Sequence, residues 1–185
     1  MNELLLHQGR FIRLVSRDGY ECASRTNASG IVVLVALLGL NPGERPSMLL
    51  IEQPRPPVGG PVIELPAGLA GDIAGAEDEP LEEAARRELL EETGYTAREV
   101  VLATRAAPSP GMVTELYSIF VATGLEKVGP GGGVESESIA TFEVPLDEVE
   151  SFLADAAARG THVALAVWAG LAIARQWIRT AGAGR

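Results

Sequence analysis

The run from Leu65 to Tyr95, LPAGLAGDIAGAEDEPLEEAARRELLEETGY, constrains this chain more than any other stretch. Its second half predicts one helix. Pro80 suits a first turn, where its missing N–H costs nothing, and Asp78 or Glu79 stands ready as a cap. Leu81, Ala84, Ala85, Leu89 and Leu90 supply the apolar positions, and Gly94 ends the helix. Glu88, Glu91 and Glu92 then fall at i, i+3 and i+4, so three carboxylates share one face within about one turn. They sit in the last turns, where the helix dipole is negative, and unpaired they oppose the helix. A cation has to compensate them, and hard divalent ions such as Mg²⁺ take oxygen ligands of this kind.

The order of residues sharpens that expectation. Arg87 to Tyr95 reads Arg-Glu-aliphatic-x-Glu-Glu-x-Gly-hydrophobic, and Glu79 lies eight residues before Arg87. This resembles the Nudix box, Gly-x5-Glu-x7-Arg-Glu-aliphatic-x-Glu-Glu-x-Gly-hydrophobic, the signature of the Nudix hydrolases. One place departs: Ile73 stands where the first glycine belongs, and Gly68 comes five residues earlier. An insertion around Gly71 to Gly75 accounts for the offset, because surface loops change length cheaply.

Composition excludes other classes. A net charge of −10 and a pI near 4.7 argue against a nucleic-acid partner held on a basic surface. The apolar runs at 31–40 and 163–174 are too short to span a bilayer. A lone Cys22 forms no intrachain disulfide, and with no secretory leader the expected compartment is the reducing cytoplasm. The 185 residues predict a single domain with a real core.

In chain order, strands over 10–15 and 20–25 flank the hairpin signal Asp18-Gly19, and residues 1–28 precede the main core. Residues 31–38 read as a strand buried on both faces, and 48–53 as the next. Residues 54–61 read as an irregular loop whose prolines hold Arg55 on a stiff segment, before a short strand at 62–65. Strands follow at 98–105, 115–122 and 139–144. Residues 106–113 break regular structure, and 128–137 form a flexible glycine-rich loop ending in Glu135 and Glu137. Helices are expected from Pro145 to about Ala158 and from Thr161 to about Thr180, the second carrying Trp168 and Trp177 as packing residues. The tail from Ala181 is expected to fray. The mixed order suggests a sheet between helical layers.

The resemblance extends beyond the box to the ADP-ribose and nucleoside-diphosphate-sugar pyrophosphatase branch. The segments Leu50–Arg55 and Glu64–Gly68 look like that branch's lead-in, and Pro110 stands sixteen residues after Gly94, as in its ADP-ribose-type members. The resemblance implies an α/β/α sandwich with a central mixed sheet, preceded here by the N-terminal β-hairpin. It implies Mg²⁺, or Mn²⁺ in its place, held by Glu88, Glu91, Glu92 and the backbone carbonyl of Ala67. Arg87 would organise the box through Glu79 or Glu91, and Glu135, assisted by Glu137, would be the catalytic base. Arg55 and Gln53 would meet the substrate's phosphates, and Ser109, Gly111, Met112 and Glu115 its sugar end. The activity implied is hydrolysis of a nucleoside diphosphate sugar, foremost ADP-ribose to AMP and ribose 5-phosphate, by a homodimer. The alternatives are an ADP- or GDP-hexose, a dinucleotide or a nucleoside triphosphate as substrate, or a non-catalytic ligand sensor.

Overall fold

The computed structural model describes residues 2–134 and 137–183. It begins with a three-stranded antiparallel sheet, β1 (Glu3–Gln8), β2 (Ile12–Arg17) and β3 (Tyr20–Arg25). Asp18 and Gly19 both adopt positive φ, 48° and 93°, the two-residue turn that matches strand twist. The hairpin was legible, although β2 runs to Arg17 rather than stopping at residue 15. β1 was not, because all six of its residues are exposed and no apolar alternation betrays it.

The second sheet has eight strands: β4 (Gly30–Leu38), β5 (Ser47–Arg55), β6 (Gly60–Glu64), β7 (Ala67–Ala70), β8 (Tyr95–Ala106), β9 (Tyr117–Lys127), β10 (Ala140–Pro145) and β11 (His162–Val163). Their order is β11-β6-β5-β4-β9-β8, with β10 paired to β5 and β7 to β4. β4 runs parallel to β9 and antiparallel to β7, so it is central and buried on both faces. The expected loop over 54–61 is in fact a hairpin. Pro54 pairs with Pro61 and Arg55 with Gly60, around a 3₁₀ turn at Pro56–Val58.

Helices cover both faces. α1 (Leu81–Thr93) sets Ala84, Ala85 and Leu89 against Val32, Leu34, Ala36 and Phe120. α2 (Val149–Ala158) and α3 (Leu165–Ala183) set Leu153, Val167, Leu171 and Ala174 against Val33, Val35, Leu37 and Val121. Alternate residues of β4 thus anchor opposite layers, and each fully buried aliphatic side chain contributes about 1.5–3 kcal/mol. This is the expected α/β/α sandwich. α3 starts later than residue 161, because His162 and Val163 pair with Val62 and Ile63 at the sheet edge, and it continues to Ala183 rather than fraying from Ala181. Trp177 packs on the core, whereas Trp168 is exposed. No helix among the described residues is long and apolar enough to cross a membrane.

Candidate functional site

The site grows from the last turns of α1. Pro80 is the N-cap and neither Asp78 nor Glu79 caps the helix; Glu79 is engaged elsewhere. Leu90, expected inside, is exposed. Gly94 terminates the helix at φ 75°, its N–H donating to the Leu90 carbonyl at 2.8 Å.

Arg87 organises the face. Nε donates to Glu79 Oε1 at 3.0 Å, and Nη2 to Glu79 Oε2 at 3.0 Å and to the Leu69 carbonyl at 2.8 Å. Nη1 donates to Glu88 Oε1 at 2.8 Å and to Glu91 Oε2 at 3.1 Å. All five guanidinium N–H groups are therefore used, which an ammonium could not reproduce. Asp72 adds charge 3.7 Å from Nη2. Arg87 holds Glu79 below the usual carboxylate range. Burial pushes Glu88 up despite Arg87 beside it.

Glu92 is deeper, 4% exposed, and accepts the Ala67 N–H at 2.9 Å. Burial is the main cause that pushes its carboxyl up to about 8; the Glu88 and Glu137 charges add to this, and the Ala67 N–H and Arg55 oppose it. Gly68 lies flush against Glu88: a Cβ there would stand 1.9 Å from the Glu88 Cδ. The Ala67–Gly68 backbone and the α1 carboxylates thus face each other directly.

A divalent ion suits this chemistry. The donors are hard oxygens, and burial disfavours their charge unless a cation shares the space. Among the described residues, no three acidic, histidine or cysteine side chains converge as a ready ligand group. Glu88 and Glu91 are turned onto Arg87, and Glu92 onto the Ala67 N–H.

Residues 128–133 of the glycine-rich loop are tied to α1 by backbone hydrogen bonds. The N–H groups of Gly132 and Gly133 donate to the Glu92 and Glu91 carbonyls, at 2.9 and 3.0 Å, and those of Val128 and Gly129 to the Gly94 carbonyl. The loop therefore caps the C-terminus of α1. Gly131, at φ 67°, lies so close that a Cβ would stand 2.4 Å from the Thr93 carbonyl carbon. Glu137 accepts the Val134 N–H at 2.9 Å, and its charge is felt by Glu92. Glu135 lies outside the described residues.

Arg55 and Gln53 meet on Glu64. Arg55 donates from Nε at 3.0 Å and from Nη2 at 2.7 Å to Glu64 Oε2, and Gln53 Nε2 donates to the same oxygen at 3.0 Å. Ser109, Gly111, Met112 and Glu115 are not gathered with them. Their loop runs along β3, where the Ala23 N–H donates to the Met112 carbonyl and Glu115 pairs with Arg25 at 2.7 Å. Half-buried Tyr117 lies between the groups; burial raises its phenol first, then Glu115 and Glu64. Glu64, Tyr117, Arg25 and Asp72 escaped sequence reasoning. Glu64 stands opposite Ile51 in the β5–β6 hairpin, and the long Arg55 side chain reaches back along the strand to meet it, a contact of which local spacing carries no sign.

Residues 30–165 match the NUDIX domain family, well over half of the chain. The chain is a Nudix protein. Over 125 residues it is 32% identical to a methanol dehydrogenase activator of Bacillus methanolicus, covering 67% of this chain and 62% of that one. Over 91 residues it is 42% identical to a GDP-mannose pyrophosphatase of Citrobacter koseri and 41% to that of Cronobacter sakazakii, covering 48% of this chain and 44% of each relative. The Nudix chain thus spans 62% or less of the length of these curated relatives. A solved structure entitled "Crystal structure of ADP compounds hydrolase" superposes with a TM-score of 0.69 at 21% identity, covering 98% of this chain and 94% of that one. That likeness shows a shared fold.

Proposed function

We propose that this protein hydrolyses the diphosphate linkage of a nucleoside diphosphate sugar with a divalent metal ion, and that ADP-ribose, yielding AMP and ribose 5-phosphate, is the leading substrate. The observation that carries the reading is the Arg87-ordered carboxylate face of α1 set against the Ala67–Gly68 backbone, with Glu92 buried behind it. Glu88, Glu91, Glu92 and the Ala67 carbonyl would hold Mg²⁺, or Mn²⁺ in its place. When bound, the ion neutralises diphosphate oxygens and acidifies a water. Arg87 keeps the carboxylates in register. Glu135 is the proposed base, with Glu137 assisting; a base outside α1 fits, because the α1 carboxylates are then ligands. Arg55 exchanges part of its pairing with Glu64 for a substrate phosphate, and Gln53 steadies Glu64. Ser109, Gly111, Met112 and Glu115 border the sugar end.

GDP-mannose is the second reading, favoured by the relatives that carry that name. A homodimer fits the N-terminal sheet, which exposes Leu4, Leu6, Phe11, Ile12 and Leu14. A lone Cys22, free in the structure, suits a reducing cytoplasm.

The test is product release from ADP-ribose, ADP-glucose, GDP-mannose, a diadenosine polyphosphate and a nucleoside triphosphate, each with Mg²⁺ and with chelator. Metal-dependent preference for ADP-ribose supports the reading, and preference for GDP-mannose selects the second. Binding of one of these ligands without turnover of any refutes hydrolysis and leaves a sensor.

A further inference from the structure

A cavity of about 360 Å³ opens beside the first turn of α1, and apart from Glu115 its lining residues have no part in the proposed hydrolysis. Leu81, the first residue of α1, borders it, seven positions before Glu88. At 1.5 Å of rise per residue that is about 10 Å along the helix from the first of the box carboxylates.

The lining is built for a ligand. Ser118 is 4% exposed and Ser24 8%, yet neither hydroxyl has a hydrogen-bond partner among the described residues. Among the described residues the one sealed, unpaired side-chain polar atom is Arg13 Nε, outside this lining, so the two serine hydroxyls keep access to the cavity. Arg105 is the strand partner of Ser118, so the two share one face of β8 and β9. Arg105 has no carboxylate within 4.0 Å among the described residues, whereas Arg25 opposite is paired with Glu115. Two guanidinium groups against one carboxylate leave a local positive charge in a chain of net charge −10.

We propose that this cavity is a second ligand site, which takes the phosphoryl group of a small phosphorylated sugar. Arginine forks and hydroxyl donors are the groups that recognise phosphoryl oxygens. The volume exceeds a bare phosphate and lies within the range of small-molecule pockets, and the Leu81 and Ile31 side chains give an apolar wall for the sugar. The site goes beyond the proposed hydrolysis and uses none of the α1 carboxylates; Glu115, paired with Arg25, is the one residue the two readings share.

Calorimetric titration of the full chain in chelator, with ribose 5-phosphate in one arm and inorganic phosphate in the other, tests this without occupying a metal site. Saturable binding of ribose 5-phosphate is expected, with phosphate at least tenfold weaker. Arg105→Gln and Ser118→Ala should each weaken the sugar phosphate at least tenfold, circular dichroism confirming that both variants are folded. No saturable binding in wild type, equal affinity for the two probes, or unchanged affinity in both variants would overturn the proposal. Metal-dependent turnover of the substrate panel by Arg105→Gln, measured alongside, keeps failure here distinct from failure of the hydrolase reading.

Discussion

Replacing Gly68 with alanine tests the geometry of the site with one methyl group. Gly68 does not occupy the left-handed region, so alanine fits its backbone. The new Cβ would lie 1.9 Å from the Glu88 Cδ and 2.1 and 2.3 Å from its oxygens, and ordinary contact requires about 3.4 Å. The carboxylate must therefore move by about 1.5 Å. That breaks its 2.8 Å bond to Arg87 Nη1, and hydrogen bonds to charged groups contribute about 1.5–3 kcal/mol. With part recovered by solvation, Gly68→Ala should destabilise the fold by about 1–3 kcal/mol. Misplacing a reacting group by about 1 Å costs on the order of a hundredfold, so kcat/KM should fall at least that far. Urea unfolding and initial rates with Mg²⁺ on the preferred substrate measure the two effects. Wild-type kcat/KM together with an unchanged unfolding midpoint would refute the idea that Glu88 is held against Gly68 for function.

Glu92→Gln should abolish turnover while leaving the fold intact; near-wild-type rates would remove Glu92 from the metal site. The same variant has a pH signature in chelator. Below the ordinary value of 4.5 the Glu92 carboxyl is protonated folded or unfolded, and its burial carries no charge penalty. Between 4.5 and about 8 the unfolded chain ionises first, so wild-type stability falls as pH rises, by a few kcal/mol at most. Urea midpoints across that range should lose this slope in Glu92→Gln, and an identical slope in both proteins would show that another group titrates. Arg87→Lys should cost about 2–4 kcal/mol in urea unfolding, because one ammonium cannot serve Glu79, Glu88, Glu91 and the Leu69 carbonyl together; a cost under about 0.5 kcal/mol contradicts it. Gly131→Ala should destabilise more than Gly43→Ala. Both glycines have positive φ, but at Gly43 a Cβ meets open space and at Gly131 it meets Thr93. Equal unfolding midpoints for the two variants would mean that the loop does not press on the helix.

The acidic helix was readable because its glycine stop, apolar stripe and three carboxylates are all local, and the buried central strand because it is apolar throughout. The Asp18-Gly19 turn was readable for the same reason. What stayed hidden depends on register between distant segments. The Glu64 carboxylate reaches Arg55 across a hairpin that four prolines and two glycines disguised as a loop. β11 is only two residues long, too short to show any period, and it was absorbed into the following helix. The backbone bonds between the Ser109–Glu115 loop and Ala23 of β3 join segments about ninety residues apart, a partnership no local spacing could reveal. Arg87 was expected to choose between two acids; the planar fork instead reaches three glutamates at once.

The glycine cap on α1 gives the molecule a built-in reporter. The amide hydrogens of Gly132 and Gly133 are held by the carbonyls of Glu91 and Glu92, the same residues whose side chains face the site. Native-state hydrogen exchange at those two amides therefore reads events at the carboxylates from outside the helix. An ion that steadies Glu91 and Glu92 slows exchange there, and the signal requires no turnover and no attached probe.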